Sequence, residues 1–343
     1  MRIETDIKLD FSDVLIRPKR TTMSSRSNVD LIRQYEFPYS PIKWSGIPIM
    51  TSNMDSVSTL EMYKEVSRER MITVFHKYID IELIKDCDTD YYALSTGISD
   101  NDFNRLSAKI NKIRVYGKHV KFICVDVANG YMDKVVPFCK RIREMFPDVV
   151  LIAGNVVTRE MVEELIINGK VDIVKVGIGS GSVCTTRLQT GVGMPQLSAI
   201  IECADAAHGC RGHIISDGGI VYPGDISKAF GSGADFVMMG SIFAGHAECA
   251  GELIEEDGKE YKLFYGMSSD TAMNKYHGGV AKHRSSEGKT VKVQYKGPVK
   301  DTIQDFLGGV RSTCTYVGAK RLKDLPKCCT FIRVNNIVNK IYG

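Results

Sequence analysis

The stretch Val149-Val150-Leu151-Ile152-Ala153, Thr158-Arg159-Glu160-Met161-Val162-Glu163-Glu164-Leu165-Ile166, Val171-Asp172-Ile173-Val174-Lys175-Val176 holds the repeating unit of the whole chain. Two apolar, β-rich runs flank a segment of helical character that opens on a threonine, a residue suited to an N-cap. Strands this apolar, separated by helices, pair in parallel and connect by right-handed crossovers. Six more runs of the same kind lie at 48–51, 71–75, 91–95, 120–125, 213–216 and 234–239, at intervals of roughly 20 to 40 residues. Eight βα units close into a (β/α)8 barrel, the TIM barrel, with an open doubly wound sheet as the competing architecture. The helix before 213–216 is punctuated by Pro195 at its start and Gly209 at its end, with Leu197, Ile200, Ile201 and Ala204 as its apolar stripe.

Outside the eight units the pattern changes. The first 45 residues read as a wrapping N-terminal extension. Past residue 250, Glu255-Glu256-Asp257-Gly258-Lys259 forms a turn between two short elements, and residues 267–298 are polar and Gly-rich, as a mobile C-terminal flap would be. The 343 residues therefore read as one catalytic barrel domain, 1–343, with appendages.

Composition narrows the function. Apolar residues at 43% and charged residues at 25% suit a globular chain with a large core. A net charge of +4 without a dense Lys/Arg stripe suits a small anionic substrate and argues against nucleic acid. No apolar run reaches the roughly 20 residues of a bilayer span, and the alternating charges of Met1-Arg2-Ile3-Glu4-Thr5-Asp6 are not a secretory signal, so a cytoplasmic location and no membrane partner are expected. Ten cysteines then read as free thiols in a reducing compartment. The adjacent pair Cys328-Cys329 and the lack of C-x-x-C spacing argue against zinc.

In barrels the reactive groups follow the C-terminal ends of strands. After the sixth run comes Gly177-Ile178-Gly179-Ser180-Gly181-Ser182-Val183-Cys184-Thr185-Thr186-Arg187, whose glycines allow a tight inward turn but lack dinucleotide-fingerprint spacing. A thiol presented there suits a nucleophile, whereas Cys87, Cys139, Cys203, Cys210 and Cys249 read as buried small residues. Asp217-Gly218-Gly219 after the seventh run and Gly240-Ser241 after the eighth occupy the two loops that most often cradle phosphate in barrels, with simple tight turns as the plainer reading. Asp126-Val127-Ala128 follow the fourth run, where a carboxylate can orient a cofactor, act as a base or cap a helix. Lys77 is an inward cation candidate or an exposed lysine. From spacing alone His283-Arg284-Ser285-Ser286-Glu287-Gly288 is a solvated loop, although Glu287 can relay protons through Thr186 if the loop folds inward. A phosphate-binding isomerase or aldolase barrel stays open, weakened by the lack of a clear Schiff-base lysine or carboxylate pair.

The cysteine loop, the Gly191-Val192-Gly193-Met194-Pro195-Gln196 that follows it, Ser216-Asp217-Gly218-Gly219, Phe11-Ser12-Asp13-Val14-Leu15 and Asn53-Met54-Asp55 together resemble the IMP dehydrogenase/GMP reductase family over residues 8 to 333. Dehydrogenases of that family carry a CBS regulatory insertion after strand two. Here His76-Lys77-Tyr78 runs straight on, and the short flap with Gly308-Gly309-Val310-Arg311-Ser312-Thr313-Cys314-Thr315-Tyr316 resembles the reductase branch; an IMP dehydrogenase lacking its CBS modules is the alternative. The resemblance implies a homotetramer that reduces GMP to IMP and ammonia with NADPH, through a thioimidate on Cys184, with Thr186 and Glu287 moving protons. It implies that Asp217, Gly218, Gly219, Gly240, Ser241, Gly266, Met267, Ser268, Arg284, Ser285, Ser286, Glu287 and Gly288 hold the nucleotide. Lys77, Asp126, Val127, Ala128, Met267, His283 and Arg284 would contact the cofactor, joined by Ser25, Arg26, Ser312, Thr313, Cys314 and Thr315 from a neighbouring subunit. The carbonyls of Gly179, Gly181, Cys184 and Arg187 would bind a potassium ion. Ser180 departs from the reductase pattern, which has proline there; without the fixed φ of proline the loop is less preorganised.

Overall fold

Eight parallel strands close on themselves: β1 (Ile49–Thr51), β2 (Ile72–Phe75), β3 (Tyr92–Thr96), β4 (Phe122–Asp126), β5 (Val150–Val156), β6 (Ile173–Val176), β7 (His213–Asp217) and β8 (Phe236–Met239). Each pairs with its sequence neighbours, and β8 pairs back onto β1. The computed structural model describes residues 3–277, 286–335 and 337. The open doubly wound sheet is thereby excluded, because the array has no edge strand. All eight strands fall within a few residues of where the apolar runs place them.

Alternation along each strand builds two cores. One face carries Met50, Ile72, Val74, Ala93, Phe122, Cys124, Val150, Ile152, Ile173, Ile215, Phe236 and Met238 into the barrel interior. The other face packs against the helical ring, which includes α1 (Leu60–Arg68), α2 (Ile81–Ile84), α3 (Asp100–Val115), α4 (Val135–Met145), α5 (Arg159–Ile167), α7 (Gln196–Gly209) and α8 (Pro223–Gly231); the short α6 (Thr186–Thr190) lies in the cysteine loop and buries no residue. Only residues 76–91 connect β2 to β3, and they form α2 and a 3-10 turn, so no regulatory insertion is present there.

Val14–Ile16 pairs antiparallel with Phe331–Arg333, joining the two ends of the chain. Arg33–Glu36 and Lys43–Gly46 form a ribbon that inserts Tyr35, Phe37 and Trp44 into the interior core. Tyr35 stacks on Phe236 at 4.5 Å, Trp44 meets Phe122 edge-on at 6.3 Å, and the Trp44 indole donates to the Asp90 carbonyl at 2.8 Å.

The flap is an insertion between β8 and its helix α10 (Val299–Val317), which packs beside α8 and α1 and completes the outer ring. Within the flap, β9 (Ile254–Glu256) and β10 (Lys259–Tyr265) form a hairpin whose turn residues Asp257 and Gly258 both have positive φ. Helix α9 (Asp270–His277) follows, and β11 (Thr290–Gln294) returns to pair with β10. The polar stretch 267–298 thus contains a helix and a paired strand, held by backbone bonds that its composition did not advertise. Among the described residues no helix is long and apolar enough to cross a membrane.

Candidate active site

Inward alternation decides what reaches the barrel mouth. In β4 Phe122 and Cys124 face inward, so Asp126 does as well; in β6 Ile173 is followed by Lys175, and in β7 Ile215 by Asp217. The three charged residues meet on the barrel axis. Lys175, 3% exposed, places its Nζ 2.5 Å from Asp126 and 2.7 Å from Asp217. Burial alone pulls the Lys175 pKa down, but the two carboxylates outweigh it and raise the value above that of free lysine. The amine stays protonated and is no Schiff-base nucleophile, which removes the aldolase reading that a barrel lysine invites. Asp126 is likewise held below the usual carboxylate range: burial opposes ionisation, while Lys175 and Asn53, the latter at 2.8 Å, overcome it.

Asn155 completes this polar layer. The β5–β6 register shifts between Gly154 and Val156, and in that irregularity the Asn155 amide donates to the Gly177 carbonyl at 2.7 Å and to Asp217 at 2.9 Å. Neither Lys175 nor Asn155 stood out in the sequence, since a lysine inside an apolar run reads as a strand residue. The signal that finds it is the pairing of one inward lysine with two strand-ending aspartates in a closed barrel.

Above this layer lies a cavity of about 250 Å³. It is lined by Cys184 and Thr186, by Asp126, Val127 and Ala128, by Gly179 and Gly181, by Asp217, Gly218, Gly219, Gly240 and Ser241, and by Gly266, Met267, Ser268, Glu287 and Gly288. Gly218 and Gly219 both have positive φ, and a Cβ on Gly218 would come within 2.6 Å of the Ser180 hydroxyl, so only glycine allows this loop. The Ser241 hydroxyl donates to the Ile220 carbonyl at 3.0 Å and ties the two phosphate-type loops together. Ser180 donates to the Asp217 carbonyl at 3.0 Å. The serine that replaces proline therefore anchors the cysteine loop to β7 by a hydrogen bond instead of by a fixed φ.

The thiol is half-buried and sits in a short chain of donors. The Cys184 Sγ lies 3.2 Å from the Thr186 hydroxyl, which donates to Glu287 Oε2 at 2.7 Å. The flap supplies Glu287 because it docks on the cysteine loop: Thr185 N–H donates to the Glu287 carbonyl at 2.9 Å, Lys289 N–H to the Val183 carbonyl at 2.9 Å, and Cys184 and Gly288 form an antiparallel bridge. Residues 286–288 are thus seated against the barrel and are not a solvated loop. Cys124, by contrast, is fully buried beneath Lys175, and burial pushes its thiol up, away from reactivity. Cys87, Cys139, Cys203 and Cys249 are buried; Cys210, read from the sequence as buried, is only half-buried.

Other candidates lie elsewhere. Lys77 pairs with Asp102 at 3.2 Å and is neither a lining residue of the cavity nor a free surface lysine. Arg187 points its guanidinium to Asp10 at 2.8 Å and the Met194 carbonyl at 2.7 Å. Ser286 donates to the Gly288 carbonyl at 2.9 Å. Ser25 and Arg26 begin a 3-10 turn against α10, which also carries Ser312, Thr313, Cys314 and Thr315; none of these lines the cavity, and the Cys314 side chain is buried in the helix-layer core. His283, Arg284 and Ser285 lie outside the described residues.

A closed parallel barrel that presents a thiol, a hydroxyl and a carboxylate in series at its C-terminal mouth has the layout of a barrel enzyme. A family model described as IMP dehydrogenase / GMP reductase domain matches residues 8–340. GMP reductase 1 of Mus musculus is 56% identical across 100% of this chain and 99% of its own length. GMP reductase of Caenorhabditis elegans is 55% identical across 99% of this chain and 96% of its own. GMP reductase of Buchnera aphidicola is 56% identical across 100% and 99%. The chain belongs to the IMP dehydrogenase/GMP reductase family.

Proposed function

We propose that this protein catalyses the NADPH-dependent reductive deamination of GMP to IMP and ammonia, as one catalytic domain working in a cytoplasmic homotetramer. The observation that carries the reading is the series Cys184, Thr186, Glu287 inside a glycine-lined cavity. The thiol proton passes to Thr186 as the Thr186 proton passes to Glu287, and the sulfur adds to carbon 2 of the purine. That carbon becomes tetrahedral; Glu287, through Thr186, returns a proton to the exocyclic amine, which leaves as ammonia, and a thioimidate on Cys184 remains. The bound reduced cofactor supplies the hydride that takes the place of the amine. Breaking the carbon–sulfur bond then frees IMP and leaves the Cys184 thiolate, which takes up a proton from solvent to restore the thiol.

Asp217, Gly218, Gly219, Gly240 and Ser241 hold ribose and phosphate in this reading, where backbone amides can approach an anion closely. Gly266, Met267, Ser268 and Ser286, Glu287, Gly288 close over the base, with Arg284 and Ser285. The residues present suit a nicotinamide: Val127, Ala128 and Met267 give an apolar wall beside Asp126. Lys77, His283 and Arg284 extend the cofactor site. Ser25, Arg26 and Ser312, Thr313, Thr315, which share one outer face of the barrel around the buried Cys314, serve the cavity of a neighbouring subunit. Potassium at the carbonyls of Gly179, Gly181, Cys184 and Arg187 belongs to the same proposal. Those of Gly181 and Arg187 accept from the N–H groups of Cys184 and Gly191, and a carbonyl oxygen has a second lone pair that can face a cation.

Incubation with GMP and NADPH tests the activity: NADPH should be consumed with one ammonia released per turnover. Formation of NADH from IMP and NAD, with no GMP-dependent oxidation, would instead identify a dehydrogenase lacking its CBS modules.

A further inference from the structure

A second polar cluster sits at the barrel mouth, on residues the chemistry above does not use. Asp55 follows β1, and its side chain is 2% exposed. Its Oδ2 accepts three hydrogen bonds, from Lys275 Nζ at 2.6 Å, the Tyr276 hydroxyl at 2.5 Å and the Tyr265 hydroxyl at 3.0 Å. All three donors belong to the flap, Tyr265 at the end of β10 and the other two on α9. Tyr276 also stacks face to face on Tyr78 of the barrel, with ring centroids 4.1 Å apart and planes 7° from parallel. Among the described residues the second carboxylate oxygen, Oδ1, is buried with no hydrogen-bond partner, so the flap donors on Oδ2 carry the compensation seen there for burying this charge. Burial opposes ionisation of Asp55, yet Lys275 and the two phenols hold its carboxyl below the ordinary range.

The beginning of α9 is in turn tied to the segment that carries Glu287. Ser269 bridges Gly288, and the hydroxyls of Thr271 and Thr290 lie 2.6 Å apart. A continuous set of contacts therefore runs from Asp55 through α9 to Gly288, and from Glu287 to Thr186.

We propose that Asp55 is a positioning residue that seats the flap: by gathering Lys275, Tyr276 and Tyr265 on one buried carboxylate, it holds Glu287 at Thr186. The inference rests on the reading of Glu287 as the proton relay. Asp55 touches no reacting atom, and at saturating GMP and NADPH its effect on turnover passes through Glu287.

The test uses the full-length enzyme. Asp55→Asn keeps the shape and removes the charge; ammonia release under saturating GMP and NADPH should slow about 10-fold, in line with a displaced proton donor. Lys275→Met, at a half-exposed position that threatens folding less, should slow it similarly, and Lys275→Arg should restore most of the rate. The double variant Asp55→Asn/Glu287→Gln should be no slower than Glu287→Gln alone, because the two act as one unit. Amide hydrogen exchange should rise in residues 266–277 and 286–294 and stay unchanged in the barrel strands. Multiplying rate losses in the double variant, or flap exchange equal to wild type, would overturn the proposal. Full-speed ammonia release by Glu287→Gln would also overturn it, and would be recognised as a failure of the relay reading by faster flap exchange in Asp55→Asn.

Discussion

The two ends of this barrel are made by the same alternation of inward residues, yet they are chemical opposites. At the N-terminal end Tyr35, Phe37, Trp44, Phe122 and Phe236 fill the interior with aromatic surface. At the C-terminal end the inward positions are Asp126, Lys175 and Asp217, capped by glycine loops, a thiol and the flap. One end seals the fold, and the other spends burial on charges that must compensate one another. The division matches the general separation of stability and chemistry between the two faces of such barrels.

The comparison breaks first at Cys184, the proposed nucleophile. Cys184→Ser should lower kcat for GMP reduction by on the order of 10⁴-fold or more while leaving the melting temperature nearly unchanged, measured by steady-state assay and calorimetry. At the opposite end Trp44→Ala should cost about 3–5 kcal/mol of stability by denaturant titration, with kcat and KM of the folded fraction close to wild type. A large change in kcat without a loss of stability there would show that the ends are not separable. Glu287→Gln should retain GMP binding by calorimetric titration and slow ammonia release about 100-fold.

The smallest effect is a titration at the sealed end. Asp235 is buried there, with His208 at 2.8 Å, His213 at 3.5 Å and Arg33 at 3.4 Å. Burial lowers the His213 pKa, but the contact with Asp235 wins and raises it. Its contribution is therefore full below the unfolded value of about 6.5 and is lost as pH rises through the folded value. Asp235 is held well below ordinary carboxylates, against its burial, by the two histidines, so its contribution persists above about pH 4 and disappears only in stronger acid. Melting temperature should fall modestly as pH rises above neutrality, and His213→Gln should flatten that slope.

Legibility followed the same division. The strands were readable because each is a short apolar run between helical segments, and Cys184, Asp217 and Gly240 were readable because they lie at the C-terminal ends of strands or in the loops that follow them. Lys175 was hidden, since one charge inside Ile173–Val176 looks like a strand interruption until closure of the barrel brings Asp126 and Asp217 beside it. The order within the flap was hidden for a related reason. Thr290–Gln294 has little apolar character of its own and becomes a strand through its register with Lys259–Tyr265. The seating of Glu287 depends on contacts between segments about a hundred residues apart, which no local spacing records.

The chemistry is tested most directly by trapping its covalent form. Enzyme turning over GMP and NADPH would be quenched in acid within one turnover, digested, and the cysteine peptides weighed by mass spectrometry. The peptide carrying Cys184 should gain the mass of a purine nucleotide that has lost its amine. Quenched enzyme that turns over normally yet carries the nucleotide on another cysteine, or on none, would contradict attack by Cys184.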